Sequence, residues 1–169
     1  MIKIPEKEGR LSAAKAAHIE AVIAFVKRKT EGYRRNLFAN ISRVMLVSGT
    51  FEDMSARDDW SWLSDFILAD VKTLKQMIGR PELLQFDEFK RMYSDYFSAG
   101  SDKYVDASTK YNAYTFIENL GVTICPYCDE EYLDVVENGN GGKLRTLEID
   151  HFFPKGKYPA LALCFYNLV

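Results

Sequence analysis

From Leu11 to Gly121 apolar residues return every three or four positions, and this helical period constrains the chain more than any other feature. Ser12 is placed to cap a first helix running to about Lys29. From Tyr33 to Val47 the positions Leu37, Ile41, Val44 and Met45 make one stripe. Ser55 is a candidate cap for a third helix carrying Trp60, Leu63, Ile67, Val71, Leu74 and Ile78. Gly79-Arg80-Pro81 then ends one helix and opens the next, because glycine suits the position after a helix and proline its first turn. The fourth helix is expected from Pro81 to Phe97, with Leu84, Phe89, Met92, Tyr96 and Phe97, and the fifth from Asp106 to Leu120, with Gly121 as its stop. No repeat, low-complexity run or linker separates these helices from the C-terminal third of the chain.

The texture changes at Val122. Residues Glu131 to Val136 read as a strand, Asn138-Gly139-Asn140-Gly141-Gly142 as a turn, and Leu144 to Ile149 as the returning strand. A β-hairpin over 131–149 would deliver Asp150-His151 at its far end. The expected fold class is therefore α+β: a mainly helical region, 1–121, followed by a small β-hairpin region, 122–169.

Charge sets weak limits on partners. The chain holds 22 basic and 24 acidic residues, a net of -2. Residues 1–50 carry 10 basic and 4 acidic side chains, residues 51–140 carry 8 and 18, and the last 29 carry 4 and 2. That distribution leaves room for two local phosphate-facing patches but excludes a globally basic nucleic-acid binder. Three cysteines, two of them the close pair Cys125 and Cys128, are too few for the disulfide framework of a secreted domain. The first residues, MIKIPEKEGR, form no apolar signal core, and no apolar run approaches the roughly 18 residues of a membrane span. A soluble, cytoplasmic protein without membrane contact is expected.

Asp150-His151 carries the distinctive chemistry. The carboxylate suits a hard divalent cation, and an imidazole with an ordinary pKa near 6.5 can deprotonate water close to neutral pH. Phosphodiester hydrolysis calls for that pair, a cation for the leaving oxygen and a base for the attacking water. Alone, a histidine at a strand end is more often structural. The surrounding residues change this reading. Leu147 to Pro159 runs LEIDHFFPKGKYP and leads to Phe165-Tyr166-Asn167-Leu168-Val169, with Cys125-Pro126-Tyr127-Cys128 upstream.

Residues 122–169 resemble the His-Asn-His (HNH) nucleases: an Asp-His pair at a strand end, a proline-containing loop, an Asn-Leu opening the next strand, and half of a four-cysteine zinc site. The resemblance implies a ββα-metal core and a DNA (in preference to RNA) endonuclease of the kind found in bacterial defence systems and mobile elements, with a protein partner for targeting. It implies His151 as general base, Asp150 as ligand of a catalytic magnesium or manganese ion, and Asn167 as the residue that pins the loop. Cys125 and Cys128 would be structural zinc ligands, and Lys155 and Lys157 phosphate contacts. The family pattern continues into a second Cys-x-x-Cys and a helix bearing a last His or Asn. Since the sequence ends at Val169, an incomplete zinc site and an inactive chain are expected. Cys164, in an apolar run three residues before Asn167, reads as a small buried residue rather than a third zinc ligand.

Two other readings compete. Cys-Pro-Tyr-Cys has the letters of a thiol oxidoreductase site, which would need Cys125 exposed at a helix N-terminus within a βαβ fold. A helical interaction module retaining a zinc-knuckle remnant is the non-enzymatic alternative. His18 has no acidic or cysteine partner at ligand spacing and reads as structural or exposed.

Overall fold

The structure, a computed structural model, describes residues 9–47, 49, 58–100, 102–122, 135–137, 139, 143–145 and 149–168. Helix α1 spans Arg10–Lys27 and buries Ala14, His18, Ala21, Val22, Phe25 and Val26, a stripe at steps of three, four and one. It starts earlier than a Ser12 cap would allow, because Gly9 supplies the first carbonyl and Ala13 N–H donates to it at 3.0 Å. Helix α2, Glu31–Val47, buries Leu37, Phe38, Ile41, Val44 and Met45.

The expected third helix is two helices, α3 over Asp59–Ile67 and α4 over Val71–Met77. Asp58 accepts from Ser61 N–H and Asp70 from Thr73 N–H, each at 2.8 Å. A carboxylate that caps a new first turn interrupts the old one without any proline or glycine. The expected fourth helix is likewise divided, into a 3-10 turn at Pro81–Leu84, helix α5 at Glu88–Met92 and a π-turn at Tyr93–Phe97 closed by Ser98 N–H on the Tyr93 carbonyl at 2.8 Å.

Helix α6, Ala113–Leu120, is shorter than expected because Asp106 competes for the backbone before it. Its carboxylate accepts from the N–H and hydroxyl groups of both Ser108 and Thr109 and from Arg28, holding a turn where the helix would begin. The helix starts after Asn112, whose side chain forms a capping box with Thr115. Gly121 ends it in the left-handed conformation, φ 61°.

The α+β expectation is overturned: the described residues are mainly helical. Strand is confined to β1, Val135–Glu137, paired antiparallel with β2, Lys143–Arg145, with Val136 opposite Leu144. Three-residue strands are too short to form a layer with a buried face. Apart from Gly139 and Ile149, the remainder of the 131–149 hairpin lies outside the described residues, as does Ser55. Residues 149–168, where the nuclease resemblance implied further strands, run as 3-10 turns at Pro159–Leu161 and Phe165–Asn167, joined by a single antiparallel bridge between His151 and Leu168. The physical reason is local. Pro154 and Pro159 lack N–H donors, and the Asn167 side chain occupies both backbone groups of Phe153 that a strand ladder would use.

One hydrophobic cluster runs from Ala14 to Leu168, with Leu161, Ala162, Leu163, Cys164 and Phe165 buried among helical residues. Among the described residues no helix is long and apolar enough to cross a membrane.

Candidate functional site

Asp150 and His151 follow the buried Ile149, whose carbonyl accepts from the Tyr93 hydroxyl at 2.8 Å. This bond ties the candidate site to the π-turn. The Tyr93 and His151 rings meet edge-to-face at 4.6 Å between centroids. Lys155 is held on Tyr93 too, its Nζ 4.6 Å from that ring's centroid.

His151 is 7% exposed, and its Nε2 lies 3.0 Å from the Ala162 carbonyl. A carbonyl only accepts, so Nε2 carries the proton. The lone pair of the neutral ring is then on Nδ1, for which the described residues provide no hydrogen-bond partner. Burial pushes the ring below the ordinary histidine pKa. The Ala162 hydrogen bond works the other way, Lys155 adds to the lowering, and Asp150 opposes it.

Asp150 is exposed, and its Oδ1 accepts from the His151 backbone N–H at 2.7 Å. Its Oδ2 has no protein partner among the described residues. An exposed, half-free carboxylate fits a magnesium ion in kind, since that ion commonly keeps several waters and takes one or two carboxylates. Among the described residues no three His, Cys, Asp or Glu side chains converge on one point.

Asn167 is fully buried and links two stretches of loop. Its Oδ1 accepts from Phe153 N–H at 2.7 Å, and its Nδ2 donates to the carbonyls of Phe153 at 3.2 Å and Leu161 at 2.9 Å. Its backbone carbonyl accepts from Phe152 N–H at 2.9 Å. Residues 14 positions apart are thereby held side by side next to His151.

Lys157 is exposed, with Nζ 5.3 Å from the Tyr158 ring centroid. Cys125 and Cys128 lie outside the described residues. Cys164 is fully buried, its thiol donates to the Phe66 carbonyl at 3.4 Å, and burial pushes its pKa up. A protonated, enclosed thiol does not fit a zinc ligand.

Sequence reasoning missed three members of this arrangement. Tyr93 and the Ala162 carbonyl hold His151, and no spacing rule reveals a contact across 58 residues or to a backbone oxygen. Phe152, 47% exposed beside His151, leaves an aromatic face in solvent. Comparison with protein-family models, with curated proteins and with solved structures returned no match.

Proposed function

We propose that residues 149–168 form the base-bearing part of a metal-dependent phosphodiesterase that cuts DNA, with His151 as general base. The observation that carries this reading is the Nε2–H bond to Ala162, which fixes one tautomer and leaves Nδ1 as the proton acceptor. A depressed pKa keeps the ring in its neutral, basic form at neutral pH. As Nδ1 takes a proton from the attacking water, the positive charge spread over the ring is met by the Ala162 carbonyl already in place. Asp150 would hold magnesium or manganese, which supplies positive charge for the leaving oxygen. Asn167 keeps the loop between Phe153 and Leu161 closed, so the imidazole has one position rather than several. Lys155 and Lys157 would contact phosphate, and Cys125 and Cys128 would supply two thiolates to a structural zinc ion.

The test is cleavage of plasmid DNA by the full-length natural protein in magnesium or manganese. His151→Ala should lower the rate by about 10²–10⁴, the usual cost of losing a general base, while DNA affinity stays within a few-fold. Cleavage at the wild-type rate by His151→Ala would remove the role given to this residue. DNA binding with no His151-dependent cutting would favour the non-catalytic module.

A further inference from the structure

Between α1 and α2 the chain reads Lys27-Arg28-Lys29-Thr30-Glu31-Gly32-Tyr33-Arg34-Arg35, five cations against one carboxylate. Two of the five are neutralised locally. Arg28 pairs with Asp106 at 3.1 Å and Arg35 with Glu31 at 2.8 Å. Lys27, Lys29 and Arg34 have no carboxylate partner among the described residues. Lys27 Nζ sits 5.4 Å from the Trp60 ring centroid. Lys29 Nζ sits 4.1 Å from that of Phe25, 5.8 Å from Tyr96 and 5.9 Å from Tyr33. Arg34 donates to the Lys27 carbonyl at 3.4 Å. Ring faces and carbonyls hold these cations in place without cancelling their charge.

The helix dipoles do not account for the cluster. The C-terminus of α1 carries about half a negative charge, which one lysine offsets, and the N-terminus of α2 brings about half a positive charge to the same turn. The aromatic residues here also argue against insertion into a membrane. Phe25 is 5% exposed and Tyr33 and Trp60 are half-buried, so the 37% exposed Tyr96 projects alone beside the cations among these rings, with a polar hydroxyl and no broad apolar face around it. Fixed positive charge next to partly exposed tyrosines matches a phosphate backbone with bases or sugars alongside. Tyr96 packs on Phe25 at 5.0 Å and belongs to the same π-turn as Tyr93, which holds His151.

We propose that the α1–α2 turn is the nucleic-acid-holding surface of the protein, with Lys27, Lys29 and Arg34 on phosphates and Tyr33 and Tyr96 beside the bases. The substrate class rests on the function proposed above. The binding surface is tested separately from it, by fluorescence anisotropy of the full chain with a labelled DNA 30-mer over a series of salt concentrations. The triple variant Lys27→Gln, Lys29→Gln, Arg34→Gln should bind on the order of 10- to 100-fold more weakly, with the log K against log salt slope smaller by about 2–3. His151→Ala should bind like wild type. A second triple variant, Lys72→Gln, Lys75→Gln, Arg80→Gln, removes equal charge elsewhere and should change affinity far less. If the first triple variant does not fold by circular dichroism, exposed Lys27→Glu alone should still lower the slope. No DNA binding by wild type, equal loss in both triple variants, or loss confined to phosphatidylglycerol vesicles would each overturn the proposal. No metal-dependent cleavage by wild type, with an intact effect of the turn on DNA affinity, would overturn the nuclease reading and leave this surface standing.

Discussion

Asn167 does at the residue scale what a strand ladder would otherwise do. Three side-chain hydrogen bonds close the loop that carries His151, and all lie in the interior. Asn167→Ala strips the partner from the Phe153 N–H and two carbonyls, and an orphaned buried group typically costs about 1–3 kcal/mol. A loss of roughly 3 kcal/mol in urea denaturation is expected, and a loss under about 0.5 kcal/mol would show that the loop closes without this side chain. The sequence singled the residue out only through an Asn-Leu that follows an Asp-His, and its three hydrogen bonds to the loop are a feature of the structure. The division of labour between the two nitrogens of His151 was not, since the Ala162 carbonyl that fixes the tautomer leaves no mark in side-chain identity.

At the scale of elements, legibility followed the length of the buried stripe. Helices α1 and α2 each bury at least five side chains at clean helical spacing, and their extents were readable to within a few residues. Of the misjudged helices, the third and the fifth are interrupted by aspartates, whereas the fourth breaks into 3-10, α and π turns without an aspartate cap. Asp58, Asp70 and Asp106 look like ordinary polar-face residues until their carboxylates are seen to take backbone N–H groups. Asp70→Ala should therefore lower stability by about 1 kcal/mol, the usual worth of an N-cap. Asp70→Asn should recover most of that loss, because its side-chain oxygen still accepts from Thr73. Equal stability of wild type and Asp70→Ala by urea denaturation would mean that packing alone breaks the helix at Ala69. The hairpin residues misled the fold class for a different reason. Their alternation is real in sequence, but strand as short as β1 and β2 cannot outweigh a core built by helices.

For the whole molecule, the core has a polar pin. His18 on α1 is fully buried, its Nε2–H donates to the Leu163 carbonyl at 2.8 Å, and its Nδ1 accepts from the Tyr111 hydroxyl at 2.9 Å. Phe97, Tyr111, Phe116 and Phe165 pack their rings around it. One imidazole thus joins the first helix to the segment that carries Asn167. Burial lowers its pKa to about 4 from an ordinary 6.5, with the Leu163 hydrogen bond opposing the shift. The unfolded chain therefore binds more protons than the folded one between those values. Stability from the neutral ring is complete above pH 6.5 and falls as pH drops toward 4, by an amount on the order of 3 kcal/mol. His151, also lowered by burial, adds loss in the same direction. The depressed carboxylate of Asp106, where hydrogen bonds from Ser108, Thr109 and Arg28 outweigh burial, loses its contribution only at lower pH. Urea midpoints measured from pH 7 to 4.5 should fall steadily for wild type. His18→Gln should start lower, since it gives up the aromatic packing, but lose much less over the same interval. A wild-type midpoint that does not change from pH 7 to 4.5, or a His18→Gln variant that falls as steeply as wild type, would show that this histidine is not what makes the fold sensitive to acid.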